Sequence, residues 1–233
     1  MSIRSAAILT TYALLWASLH SLLASHSVKD WVLRSLGKST RRWYRLAFNI
    51  VAAISVLPLL LLLAVLPDVR IYAIPVPWRW LSHAGQGLSL LALGWTVLQT
   101  SPLRFAGLAQ LRAGEPSDDG PLQFRGLYAH VRHPLYLLSM ALLWLTPEMT
   151  INRITVNALA SLYFVVGSIF EERKLLRQYG EAYGHYQSNV PRLVPRMRRY
   201  DPPCDESPAS LQVRPHQDQH SPASGLQTED PTS

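Results

Sequence analysis

The sequence predicts an all-α integral membrane protein of about five transmembrane helices, the last two paired as a C-terminal helical hairpin, followed by a disordered tail. Three observations carry this. Apolar residues lie in long blocks, although hydrophobic types make up only 48% of the 233 residues. Lys and Arg crowd between those blocks. Beyond Tyr200 the chain is Pro, Ser, Gln, Asp and His, with too little apolar surface to offset the entropy of folding. The divisions that follow are residues 1–125 (N-terminal helices and loops), 126–199 (the hairpin with the motifs around it) and 200–233 (the tail).

Ile3 to Ser25 is apolar over more than the ~20 residues that cross a hydrocarbon core, and further spans follow it. It therefore reads as a first transmembrane helix rather than a cleaved leader. Leu46 to Leu66, with its leucine run from Leu59 to Leu63, is the plainest span. Trp80 to Thr100 is a third, where Gly85, Gly87 and Gly94 are small residues suited to close helix contact. Leu135 to Leu145 is about half the length a span needs. Pro147 through Thr150 breaks the chain, and Ile151 to Phe170 returns as a full-length helix. The two form an antiparallel hairpin whose first arm starts inside the membrane or at its edge. Backbone at such a depth must be buried in protein or line a cavity.

Lys29, Arg34, Lys38, Arg41, Arg42 and Arg45 fill the first connection, against Arg70, Arg79 and Asp68 around the second. The first connection is therefore cytoplasmic. Alternation puts the N-terminus outside, and the 104–132 connection and everything from Glu171 onward inside. The net charge of +7 is thereby assigned to anionic lipid and orientation, not to nucleic acid. The single cysteine, Cys204, excludes an internal disulfide and a Cys-rich metal site, and no metal site is expected.

Two regions carry chemistry, both on the cytoplasmic side. The first is Gly126-Leu127-Tyr128-Ala129-His130-Val131-Arg132-His133-Pro134-Leu135-Tyr136, which leads into the short arm. Pro134 suits a first helical turn, where its missing N–H costs nothing. The free donors and positive dipole end of that turn, with Arg132 and His133 beside them, suit a carboxylate. The second runs from Phe170-Glu171-Glu172-Arg173 through Tyr179, Tyr183 and Tyr186 to Val190-Pro191-Arg192-Leu193-Val194-Pro195. Adjacent carboxylates at the end of a membrane helix are costly unless solvated, paired or used. Counted from the Pro147 turn, His133 and Glu171 differ in depth by roughly 10 Å or less, so both can line one cleft. That cleft matches a zwitterion, with Glu171 or Glu172 facing its cationic groups and Arg132 and His133 its carboxylate. One glutamate is expected to pair with Arg173, Lys174 or Arg177. Tyr179, Tyr183 and Tyr186 fit interfacial anchors as well as they fit ligand contacts. For His20 and His26, a hydrogen-bonded helix contact outweighs haem ligation with His83.

These residues together resemble the isoprenylcysteine carboxyl methyltransferase superfamily. Its signature is Arg-His-Pro-x-Tyr, a hydrophobic hairpin, a Glu-Glu pair, and a Gly-x-x-Tyr-x-x-Tyr stretch ending in Val-Pro-Arg-x-x-Pro, all present here in order between Gly126 and Pro195. His20-Ser21-Leu22-Leu23-Ala24-Ser25 and Tyr44-Arg45-Leu46 through Asn49 are similar to the bacterial branch of NnrU-like proteins and methanethiol S-methyltransferases. The resemblance implies an enzyme of the bacterial inner membrane that uses S-adenosylmethionine to methylate a small thiol or another lipid-soluble acceptor, with no obligate protein partner. It places cofactor binding on His133, Tyr136, Glu171, Glu172 and Arg192, and catalysis on Glu171 and Arg132. Two alternatives accompany it: a non-catalytic NnrU-like protein of nitrogen-oxide or haem metabolism, and a sterol-reductase-like NADPH enzyme.

Overall fold

The computed structural model describes residues 2–37, 40–100, 103, 108 and 122–201. The tail beyond Asp201 with Cys204, the 109–121 connection and the side chains of His26, Arg41 and Arg42 lie outside the described residues. The elements run α1 (Ser2–Ala24), α2 (His26–Leu36), α3 (Arg41–Val65), β1 (Arg70–Ala73), α4 (Trp78–Gln99), a 3-10 turn (Gly126–Ala129), α5 (Pro134–Trp144), β2 (Glu148–Thr150), α6 (Ile151–Tyr179) and α7 (Glu181–Asn189).

Among the described residues, three helices are long and apolar enough to cross a membrane: Ile3–Ala24 in α1, Trp43–Val65 in α3, and Ile151–Tyr179, which is α6. The chain is a mostly helical membrane protein. α4 has the length, at 22 residues, but Arg79, His83, Gln86 and Gln99 dilute its apolarity. α5 has the 11 residues of a half-span. The basic first connection contains a helix of its own, α2, because Ser25 Oγ accepts the Val28 N–H at 3.4 Å and caps it. Val28, Trp31, Leu33 and Leu36 alternate there with Lys29, Asp30 and Arg34, an amphipathic pattern suited to the membrane edge.

The all-α expectation needs one addition, an antiparallel ladder of β1 and β2 that sets Arg70 opposite Thr150 and Ala73 opposite Glu148. It ties the turn of the hairpin to the α3–α4 connection. The Ile74 N–H donates to the Pro147 carbonyl at 2.8 Å and the Ile151 N–H to the Val69 carbonyl at 3.0 Å. Asp68 accepts the Asn152 N–H at 3.0 Å, placing an anion where the first turn of α6 has unpaired donors.

α5 and α6 run antiparallel. Near the turn, Trp144 Nε1 donates to Ser161 Oγ at 3.0 Å and Asn157 Nδ2 to the Leu143 carbonyl at 2.9 Å, while His133 meets Glu172 at the far end at 3.1 Å. α5 also lies on α4, where Gln86 Nε2 donates to the Leu142 carbonyl at 3.1 Å. Of the three glycines expected in close contacts, only Gly85 is in one: a Cβ there would lie 3.1 Å from Leu145 Cδ1, whereas Gly87 and Gly94 face open space. α1 joins α3 and α6. Tyr12 OH donates to the Ser55 carbonyl at 2.6 Å, Trp16 Nε1 to Ser55 Oγ at 2.9 Å, and His20 Nδ1 lies 2.7 Å from Tyr163 OH. His20 is thus a hydrogen-bonded helix contact, while His83 approaches Gln86 at 3.3 Å within α4.

Candidate functional site

Gly180, at φ 57°, ends α6 and turns the chain back under the hairpin. Phe124, Tyr183, Tyr186, Val190 and Tyr200 then form a small core. Tyr183 and Tyr186 are buried in it rather than anchored at an interface, and Tyr186 OH donates to the Tyr128 carbonyl at 2.7 Å. Tyr186→Phe should therefore cost about 1 kcal/mol of stability in thermal unfolding, the worth of one hydrogen bond, and leave ligand affinity unchanged.

The returning segment pairs with the Arg-His-Pro segment. The Arg132 N–H donates to the Pro191 carbonyl at 2.9 Å, the His133 N–H to the Arg192 carbonyl at 3.2 Å, the Arg196 N–H to the His130 carbonyl at 3.0 Å and the Tyr200 N–H to the Ala129 carbonyl at 3.0 Å. The Arg132 and His133 N–H groups precede α5 and are used inside the protein, and the free donors of its first turn begin after Pro134. Gly126, at φ 64°, starts the 3-10 turn against the end of α4, where a Cβ would overlap the Gln99 amide.

The two glutamates have opposite surroundings. Glu172 is 3% exposed and enclosed by four side chains. Arg192 grips it with two hydrogen bonds, Nε to Oε1 at 3.1 Å and Nη2 to Oε2 at 2.8 Å. His133 Nε2 donates to Oε1 at 3.1 Å and Gln187 Nε2 to Oε2 at 3.0 Å. Arg132 Nε lies 3.0 Å from Oε1 as an ion pair, off the alignment of a hydrogen bond, while its Nη1 donates to the Gln187 carbonyl at 2.6 Å. The expected pairing of one glutamate is therefore made by Glu172, with Arg132 and Arg192 rather than with Arg173, Lys174 or Arg177. The trio of Arg132, Glu172 and Arg192 carries a net single positive charge, and Arg192 is 36% exposed.

Glu171 is 46% exposed and accepts one hydrogen bond, from Tyr136 OH at 2.8 Å. The Tyr136 ring is stacked between His133, at 5.3 Å, and Phe164, at 5.4 Å. His133 Nδ1 comes within 3.6 Å of Glu171 Oε2. Burial pushes the His133 imidazole below its ordinary value of 6.5, against the pull of Glu171 and Glu172. The ring is then neutral at pH 7, and because Glu172 can only accept, Nε2 holds the proton and Nδ1 is an acceptor. The sign of the pH dependence follows. The unfolded chain takes up this proton at a higher pH than the folded one, so the contribution is intact above pH 6.5 and is lost as the pH falls below it. Unfolding temperatures measured from pH 8 to pH 5 should fall only below that point, and His133→Gln, which keeps the donor to Glu172, should flatten the fall.

The structure thus brings Arg132, His133, Tyr136, Glu171, Glu172 and Arg192 into one cluster. Arg132 is turned inward, at 9% exposure. Gln187 and Phe164 join them without having been singled out. Phe164 sits seven residues before Glu171, on the same helix face, and Gln187 directly follows Tyr186; those spacings are the signal that could have found them.

No family model matches the chain, and no solved structure matches it. Curated proteins do. The chain is 31% identical over 196 residues to the methanethiol S-methyltransferase of Pseudomonas deceptionensis, covering 79% of this chain and 71% of the relative. It is 30% identical over 191 residues to that of Crocosphaera subtropica, covering 78% and 71%. It is 29% identical over 191 residues to that of Mycobacterium tuberculosis, covering 78% and 74%. With relatives of one name matching most of both chains, and with the ordered motifs gathered into one cluster, the chain belongs to the methanethiol S-methyltransferase branch of the isoprenylcysteine carboxyl methyltransferase-like superfamily.

Proposed function

We propose that the chain is an S-adenosylmethionine-dependent methyltransferase of the bacterial inner membrane, acting on a small apolar thiol such as methanethiol at the cytoplasmic face. One observation carries the reading: the half-exposed Glu171 carboxylate, which accepts from Tyr136 OH on Oε2, and the His133 Nδ1 acceptor converge to 3.6 Å. Such a pair suits a ligand with a positively charged group, and the positively charged trio around Glu172 lies next to it, with Arg192 partly open. The donor set therefore separates a negative end from a positive end, as a ligand with sulfonium, ammonium and carboxylate groups requires. His133, Tyr136, Glu171 and Arg192 would hold that ligand, with Glu172 and Arg132 fixing Arg192 and His133 in place. When bound, it supplies an electrophilic methyl group.

The membrane arrangement supports the same reading. In this reading α1, α3, α4 and the α5–α6 hairpin are five membrane segments, of which α5 enters partway. In the same reading the α2 end, and with it the cluster, faces the cytoplasm, which the basic residues on and around α2 support. Small thiols partition into the bilayer and reach the cluster laterally between apolar helices. No protein partner is needed. Incubation of detergent-purified protein with methyl-labelled S-adenosylmethionine and methanethiol should yield labelled dimethyl sulfide. A purified, folded protein that labels no thiol and no lipid-soluble acceptor would overturn the reading.

A further inference from the structure

A thiol drawn from the bilayer arrives protonated, whereas the thiolate is the nucleophile, so its proton must be taken up by a base in contact with it. Within the cluster the two open acceptors, His133 Nδ1 and Glu171, are the groups that face the cationic end of the methyl donor. Glu172 is enclosed by four side chains, one of them His133, whose Nε2–H donates to it, and Glu171 accepts from Tyr136 OH. A further histidine stands nearby on α1. His20 Nδ1 is 2.7 Å from Tyr163 OH, and Ser21 Oγ is 3.4 Å from the same hydroxyl. Trp16 stacks on the His20 ring at 5.0 Å and Phe48 approaches it at 4.9 Å. Among the described residues His20 Nε2 has no hydrogen-bond partner.

α6 connects this histidine to the cluster. Tyr163, Gly167 and Glu171 recur every four residues on one helix face, over about 12 Å of its axis. A Cβ at Gly167 would meet nothing within 4 Å, so no side chain fills that face at Gly167. Phe164, next to Tyr163, is the ring stacked on Tyr136. From the His20–Tyr163 pair, bordered by the aromatic rings of Trp16 and Phe48 and joined to the Glu171 acceptor pair by the open face at Gly167, we infer that His20 is the general base for the thiol acceptor. This inference rests on the methyltransferase reading above.

The base role takes one arrangement of this hydrogen-bond chain. With Tyr163 O–H directed to Ser21 Oγ, the Tyr163 oxygen accepts Nδ1–H of His20, which leaves the lone pair on Nε2. As the thiol sulfur bonds to the methyl carbon, the S–H proton moves to His20 Nε2. The electron pair of the breaking carbon–sulfur bond stays on the donor sulfur, which leaves as a neutral thioether. The imidazolium then releases its proton to water. Tyr163 acts as a positioning residue.

His20→Gln tests this in the full-length protein, with calorimetric binding of S-adenosylmethionine measured beside turnover. The expected result is donor affinity within about two-fold of wild type and kcat at pH 7 lower by about a hundredfold, the usual range for a lost general base. Turnover of the variant should recover as the pH approaches the ionisation of the free thiol, and the wild-type ionisation that belongs to His20 should vanish from its profile. Tyr163→Phe should shift that ionisation and lower kcat by less than His20→Gln. A His20→Gln protein with the wild-type rate and pH profile would overturn the inference, as would one that loses donor binding together with turnover. Wild-type protein that binds the donor but methylates no thiol would overturn it through the acceptor class. Failure of the wild type to bind the donor at all would instead remove the proposed function beneath it.

Discussion

Glu172→Ala should be the most destabilising single change in and around the ion cluster, costing about 3–5 kcal/mol, because it leaves the buried Arg132 guanidinium without its counter-charge. Arg192, 36% exposed, can turn toward water and should add little. The His133 and Gln187 side chains each lose an acceptor as well. Thermal unfolding in detergent measures the loss, and limited proteolysis of residues 181–200 locates it, since the returning segment is held by the same carboxylate. The double variant Glu172→Leu with Arg132→Leu should recover much of the stability, because an apolar pair costs less to bury than an unpaired ion. Wild-type stability in Glu172→Ala would mean that the ion cluster does not hold the segment.

Glu171→Gln should have the opposite signature, with stability unchanged and S-adenosylmethionine affinity reduced at least about 30-fold, or ~2 kcal/mol. The side chain is half open, and the amide keeps its shape and can still accept from Tyr136 OH. Only the charge facing the ligand is lost. The neighbouring carboxylates therefore separate two measurements, Glu172 moving the unfolding temperature and Glu171 the dissociation constant. A Glu171→Gln protein that binds the donor as tightly as wild type would contradict the charge complementarity argued for the site.

Much of this was legible in the sequence because membrane helices obey a length rule. The spans of α1, α3 and α6 follow from about 20 apolar residues each, and the hairpin follows from the half-length of α5 and the break at Pro147. Counting residues back from that break put His133 and Glu171 in one cleft, and the side chains approach within 3.6 Å. The ladder of β1 and β2 was not legible, since strands of four and three residues carry no period to read. Which glutamate turns inward was also hidden. Adjacent helix positions point about 100° apart, and the choice between them is made by Gln187 and Arg192, which return from 15 and 20 residues away. The burial of Tyr183 and Tyr186 has the same cause: an amphipathic ring fits a membrane interface or a small core, and only the fold-back at Gly180 decides which.

The most direct test of the account is calorimetric titration of the detergent-purified wild-type protein with S-adenosylmethionine, with NADPH and haem as parallel titrants. Saturable micromolar binding of S-adenosylmethionine alone is the predicted result. Binding of NADPH or haem in its place, or of none of the three by folded protein, would contradict it.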